Sequence, residues 1–272
     1  MMDNNFYGWD NLERNPGNAY INKCRLFANS DEAFSNFRRD PDYQKILEGG
    51  ARIVGQIHLD RIRKKFGLGA LIDNIDKFKE NDIYGNPMKH FYDIVGIEPD
   101  DEINPCTILY VSQALDIKEI LGEFIPKKIV EIGGGFGGLC KTLSVFYDFD
   151  EYVLIDLPDV IDLCKKYLSH YPDLFDKITF IDCEQFQEVE SIDNVDLFIA
   201  IASLAECNEK TQNIYVDKIL MNSLYGYILY NTLHIEDMKN VCDKIVAKIS
   251  GSFENSIESY LGTAIIRLKK RK

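Results

Sequence analysis

The stretch Val130-Glu131-Ile132-Gly133-Gly134-Gly135-Phe136-Gly137-Gly138 decides how the fold is read. A β-favouring run enters a cluster of glycines, and a helical pattern over 137–146 follows it. Glycines at such a turn let the backbone approach a ligand, because no Cβ intervenes and positive φ is open. The spacing of Gly133, Gly135 and Gly138 also satisfies G-x-G-x-x-G, which by itself marks a nucleotide site only loosely.

Downstream, the same rhythm repeats. Apolar runs at 128–132, 152–155, 177–181, 195–199 and 226–229 alternate with helical patterns at 137–146, 159–168, 208–221 and 237–249. Such alternation implies a parallel sheet with helices on both faces. The last segment breaks it: two strand-like runs, 252–260 and 263–268, flank Leu261-Gly262 and predict an antiparallel hairpin at the sheet edge. The expectation is therefore an α/β fold, a doubly wound and mostly parallel seven-stranded sheet over residues 123–272.

Upstream, residues 1–122 read as helices and loops. Asn29-Ser30-Asp31-Glu32 offers a cap, and Pro41 suits a first helical turn. Val54, Ile57, Ile62 and Phe66 predict a helix over 51–66, and Leu71, Ile72, Ile75 and Phe78 another. Residues 81–104 read mostly as loop. Asn104-Pro105 then opens a helix that ends near Gly122.

Composition narrows the function. A net charge of −13 argues against a nucleic-acid surface, which needs clustered Lys and Arg. The one basic run, Arg267 to Lys272, reads as a solvated tail. The seven cysteines form no C-x-x-C pair and no zinc spacing, and Cys140 and Cys164 fall in helical patterns as small hydrophobes. No apolar stretch approaches the roughly 20 residues that span a bilayer, and residues 1–6 lack signal-peptide features. A cytoplasmic protein with no metal site is expected.

Three carboxylates carry the chemistry. Glu131 precedes the first glycine, where it can engage the cationic amino-acid end of S-adenosylmethionine but would repel a pyrophosphate. Asp156 closes the second strand and can accept both ribose hydroxyls, a feature shared with nicotinamide enzymes. Asp182 closes the third and can accept from the adenine amino group.

With Leu154-Ile155-Asp156-Leu157-Pro158-Asp159-Val160, the glycine stretch resembles the sugar O-methyltransferase family, among the class I S-adenosylmethionine-dependent methyltransferases. The resemblance takes in Gly85-Asn86-Pro87, Asn104 to Tyr110, Glu206, Gln212, Tyr215 and Gly226 to Asn231, and covers residues 80–235. It implies a Rossmann-like methyltransferase that moves a methyl group to a sugar hydroxyl in glycan or polysaccharide assembly. Gly133, Gly135 and Asp156 would hold S-adenosylmethionine, with Leu157 beside them. Asn231 would face the acceptor. The segment Ala200-Ile201-Ala202-Ser203-Leu204-Ala205-Glu206 departs from the family pattern around Glu206, so the acceptor pocket is expected to differ.

For a general base the candidates are Glu206, after the fourth strand, and His234, after the fifth, the latter titrating near neutrality. His90 and the platforms Tyr84, Tyr92 and Tyr110 are candidates to line an acceptor pocket. His58, on the apolar face of its helix, reads as a hydrogen-bonded core histidine, and His170 as an exposed helix end. Rival readings are a phenol or polyketide O-methyltransferase, an NAD(P)-dependent oxidoreductase, and an inactive methyltransferase-fold scaffold. Whether the helical half is a lid or a homodimerisation module stays open at this level.

Overall fold

Alternation of buried side chains builds the centre of the molecule. Along β1 (Lys128–Ile132), Ile129 faces one layer of helices while Val130 and Ile132 face the other. β2 (Glu151–Asp156) does the same, with Tyr152 and Leu154 on one side and Val153 and Ile155 on the other. Strands that bury both faces are apolar throughout, as parallel sheets require. The computed structural model describes residues 16–44, 46–48, 50–94, 102–186, 188–231, 236–260 and 262–271.

Five strands run parallel: β1, β2, β3 (Ile178–Asp182), β4 (Val195–Ile201) and β5 (Ser223–Asn231). The expected hairpin forms from β6 (Phe253–Tyr260) and β7 (Thr263–Lys270), pairing Tyr260 with Thr263. β7 lies antiparallel to β5, so the order is β3-β2-β1-β4-β5-β7-β6, the expected mostly parallel seven-stranded sheet. Chain direction diverges between β1 and β4, the switch point where open α/β sheets bind ligands.

Helices α1 (Pro16–Asn29), α2 (Arg52–Lys65) and α3 (Pro105–Leu121) precede the sheet; α4 (Gly138–Phe146), α5 (Pro158–Leu168), α6 (Glu209–Lys218) and α7 (Glu236–Ile249) connect it. Asn104 caps α3, its side chain accepting from the N–H groups of Cys106 and Thr107. Pro105 fills the first turn, whose N–H would be unpaired anyway. The expected helix over 71–78 is instead two short ones, Gly69–Ile72 and Ile75–Lys79, interrupted at Asp73-Asn74.

The helical half shares its core with the sheet. Tyr20, Phe27, Phe37 and Tyr43 pack in one cluster with Phe136, Leu139 and Tyr167. Arg38, fully buried, binds Glu48 at 2.8 Å and lies over the Phe136 ring at 4.8 Å from its centroid. The C-terminal basic run is no solvated tail. Residues up to Lys270 belong to β7, and Arg267 is bonded to Asp116 at 2.8 Å. No described helix is long and apolar enough to cross a membrane.

Candidate active site

The turn after β1 is shaped by its neighbour after β4. Gly133 adopts φ +77°, and a Cβ there would lie 2.4 Å from that of Ser203. Only glycine fits both the backbone and the contact. Ser203 Oγ in turn donates to the Ile132 carbonyl at 2.6 Å, fastening the two strand ends together. Ala202 takes the left-handed conformation at φ +46°, unusual for a residue with a Cβ. The segment that departs from the family pattern is thus a tight, strained turn against the glycines.

Between these turns and the helical half opens a cavity of about 350 Å³. Its sheet side is formed by Glu131, Gly133, Gly134, Gly135, Ile201, Ala202 and Glu206; its helical side by His58, Arg61, Leu109, Tyr110 and Gln113. The size suits a small organic molecule or one end of a larger one.

Glu131 is 2% exposed and its Oε2 accepts from Tyr152 Oη at 2.7 Å. Burial pushes this carboxyl up to about 7 despite that bond, and the charge of Asp156 adds to the effect. Glu206, in the single turn Leu204–Glu206, has no hydrogen bond to its carboxylate among the described residues. It is open to the cavity, yet the surrounding protein also pushes it up to about 7. Such a group exchanges protons near neutral pH.

Asp156 is half-buried at the end of β2, where burial pushes it up to about 6 against two backbone hydrogen bonds, from Leu157 and Gly135. Asp182 is its register partner on β3. Asp182 Oδ1 accepts from Gln185 N at 2.7 Å, capping the turn Cys183–Phe186. Asp156, Leu157 and Asp182 therefore follow one another along the strand ends, outside the cavity wall. Leu47 reaches over the glycine turn, its Cδ1 being 3.0 Å from where a Gly135 Cβ would stand.

The acceptor-side expectations divide. Tyr110 lines the cavity and packs edge-on to Phe136. His90 lies elsewhere: on a two-residue strand, His90–Phe91, with Nε2 2.7 Å from the Gly50 carbonyl oxygen. Tyr84 stacks on His170 at 3.8 Å, and Tyr92 is buried beneath Arg52. Asn231 ends β5 opposite Thr263, and nothing is described of its side chain. His234 lies outside the described residues. Among those that are described, no group of three or more His, Cys, Asp or Glu could hold a metal ion.

Sequence reasoning missed His58 and Gln113. His58 is half-buried and lines the cavity, and no hydrogen bond holds it among the described residues, contrary to the expected bonded core histidine. Burial, then the charge of Arg61, pushes it down to about 4, so it is neutral at physiological pH. The helical wall ends in an ion cluster: Asp116 binds Arg61 at 2.7 Å, Arg267 at 2.8 Å and Lys65 at 3.0 Å, and all three cations also meet Glu258.

Residues 95–215 match the model of the O-methyltransferase domain family. No curated protein matches the sequence. Among solved structures, the methyltransferase domain of bacterial CtHen1 is similar at 12% identity over 58% of this chain and 97% of its own, with a TM-score of 0.47. The pyocyanin biosynthetic protein PhzM is similar at 15% identity and a TM-score of 0.46, and the mitomycin 7-O-methyltransferase MmcR at 12% and 0.43. Each of these two aligns over 61% of this chain and 56% of its own length. The match over residues 95–215 supports a methyltransferase, with S-adenosylmethionine as its methyl donor.

Proposed function

We propose that the protein transfers a methyl group from S-adenosylmethionine to a hydroxyl of a sugar, with residues 1–122 supplying the acceptor side and residues 123–272 the cofactor side. The observation that carries this is the single cavity joining Glu131 and the glycine turn to Glu206 and to the polar wall of α2 and α3. Bound S-adenosylmethionine supplies an electrophilic methyl group on a cationic sulfonium. Glu131 suits its ammonium group, because a buried carboxylate raised so far gains most from a nearby cation. Each Asp156 oxygen accepts one backbone N–H and keeps lone-pair capacity for ribose hydroxyls. Asp182 extends the acidic row toward the adenine.

On the acceptor side, Glu206 takes the hydroxyl proton as the oxygen becomes nucleophilic. Positioning within the cavity contributes several kcal/mol, and a placed base roughly 10²–10⁴-fold more. His234 remains the second base candidate, with His90 and Asn231 as more distant acceptor contacts. Six of the seven cysteines are buried, and none forms a disulfide, which suits a cytoplasmic enzyme. A phenolic acceptor is the second reading, favoured by Leu109, Ile201, Leu229 and Ile265 in the cavity wall.

Calorimetric titration with S-adenosylhomocysteine and with NADPH tests the donor, and tritiated-methyl transfer to a panel of glycosides and catechols tests the acceptor. Binding of the homocysteine product and methylation of a glycoside are expected. NADPH binding without S-adenosylhomocysteine binding would sink the proposal, and methylation of catechols alone would replace the sugar by a phenol.

A further inference from the structure

Gln113 is a buried polar side chain that the fold leaves unsatisfied. It sits in the middle of α3, is 5% exposed, and its Oε1 has no hydrogen-bond partner among the described residues. Leaving such an atom unpaired destabilises a protein, so its presence calls for a partner that arrives from outside. The side chain lines the cavity, and so does His58 on the neighbouring helix α2, equally without a hydrogen bond among the described residues. The two come from helices packed against each other, on the wall opposite the glycine turn and Glu206.

The wall also indicates the charge of what it takes. Arg61, Lys65 and Arg267 face Asp116, Glu119 and Glu258, each cation within 4 Å of at least two of the carboxylates. The cluster is neutral as a whole. His58 is neutral too, its ring held below the usual histidine range by burial. Little is left there to attract an anionic acceptor.

We propose that Gln113 and His58 form the acceptor-recognition pair of this enzyme, taking hydrogen bonds from neighbouring hydroxyls of an uncharged diol. Gln113 Oε1 accepts from one hydroxyl, and a ring nitrogen of His58 pairs with the next. The diol is the chemistry shared by a neutral sugar and a catechol. The assignment presupposes the methyl-transfer reaction above, and its test separates the two.

In the complex with saturating S-adenosylhomocysteine, dissociation constants are measured by NMR titration for methyl β-D-glucopyranoside, for catechol and for methyl β-D-glucuronide. At least one neutral diol should bind, and more tightly than the glucuronide. Gln113→Leu and His58→Phe should each weaken it about tenfold, while the affinity for S-adenosylhomocysteine stays within twofold. A side chain kept for structure would cost stability when replaced, whereas Gln113→Leu should leave Tm unchanged or raise it by a few degrees. Three results overturn the pair while leaving methyl transfer intact: S-adenosylhomocysteine binds but neither neutral diol does, the glucuronide binds best, or both variants bind the diol like the wild type. Failure of the wild type to bind S-adenosylhomocysteine would instead remove the reaction itself. Binding of the glycoside or of catechol alone identifies which source supplies the diol, and each supports the pair.

Discussion

Asp156 Oδ2 accepts the Gly135 N–H at 3.0 Å, so the carboxylate that closes β2 is bonded directly to the turn that follows β1. Its other oxygen accepts from Leu157 N at 2.7 Å. One side chain thereby orders the glycine turn and the first turn of α5, the two surfaces proposed to hold the nucleoside. Replacement by alanine removes two hydrogen bonds to a charged group, each worth about 1.5–3 kcal/mol. Asp156→Ala should weaken S-adenosylhomocysteine binding by roughly 10–100-fold at pH 7.5 in a calorimetric titration. An unchanged affinity would mean that the nucleoside lies elsewhere.

Glu206 offers a pH signature. The surrounding protein pushes its carboxyl up to about 7, and a base works only when ionised. The wild-type kcat/KM should rise with pH and level off above about 7. Glu206→Gln should lower kcat roughly 10²–10⁴-fold and abolish that rising limb while S-adenosylhomocysteine binds normally. If the limb persists in the variant, another group is the base.

Glu131 links the site to stability. Its carboxyl is raised to about 7 in the folded chain against an ordinary value of 4.5, so the folded state keeps a proton that the unfolded chain has released. The stabilisation this gives is complete below pH 4.5 and is lost as pH rises through 7. Urea unfolding between pH 5 and 8 should show the wild type losing stability relative to Glu131→Gln across that interval. Parallel curves for the two proteins would contradict a raised Glu131.

Arg38 offers a test of the shared core. It is 0% exposed, as is the side chain of Glu48, to which it is bonded, and Asp82 lies 3.6 Å away. Burial raises both carboxyls while the guanidinium pulls them down. Arg38→Met strands these carboxylates and should cost about 3–5 kcal/mol in urea unfolding at pH 7. Adding Glu48→Gln should recover part of the loss. A cost below about 1 kcal/mol would show that the pair is not needed to hold residues 38–48 against the glycine turn.

Much of the fold could be read before any coordinates. All five parallel strands, the hairpin around Leu261-Gly262 and the Asn104 cap follow from patterns within a few residues. The split of the helix expected over 71–78 did not follow, because apolar spacing continues across Asp73-Asn74 while the chain turns there. In the site, Glu131, Gly133, Gly135, Tyr110 and Glu206 were singled out and come together around one cavity. His58 was assigned to the core since its spacing from Val54 and Ile62 is that of an apolar helix face. Periodicity reports which face a residue occupies, but not whether that face meets protein or a cavity.

The sequence by itself determined the alternating elements, their assembly into a mostly parallel sheet, and the acidic residues that close its first strands. These depend on side-chain period and capping, which act over one or two turns. Only the tertiary structure decided that α2 and α3 wall the cavity, that Arg38 is buried under the glycine turn, and that Gln113 Oε1 has no hydrogen-bond partner among the described residues. Each depends on chain segments far apart in sequence meeting in space, and no local pattern encodes an encounter over that distance.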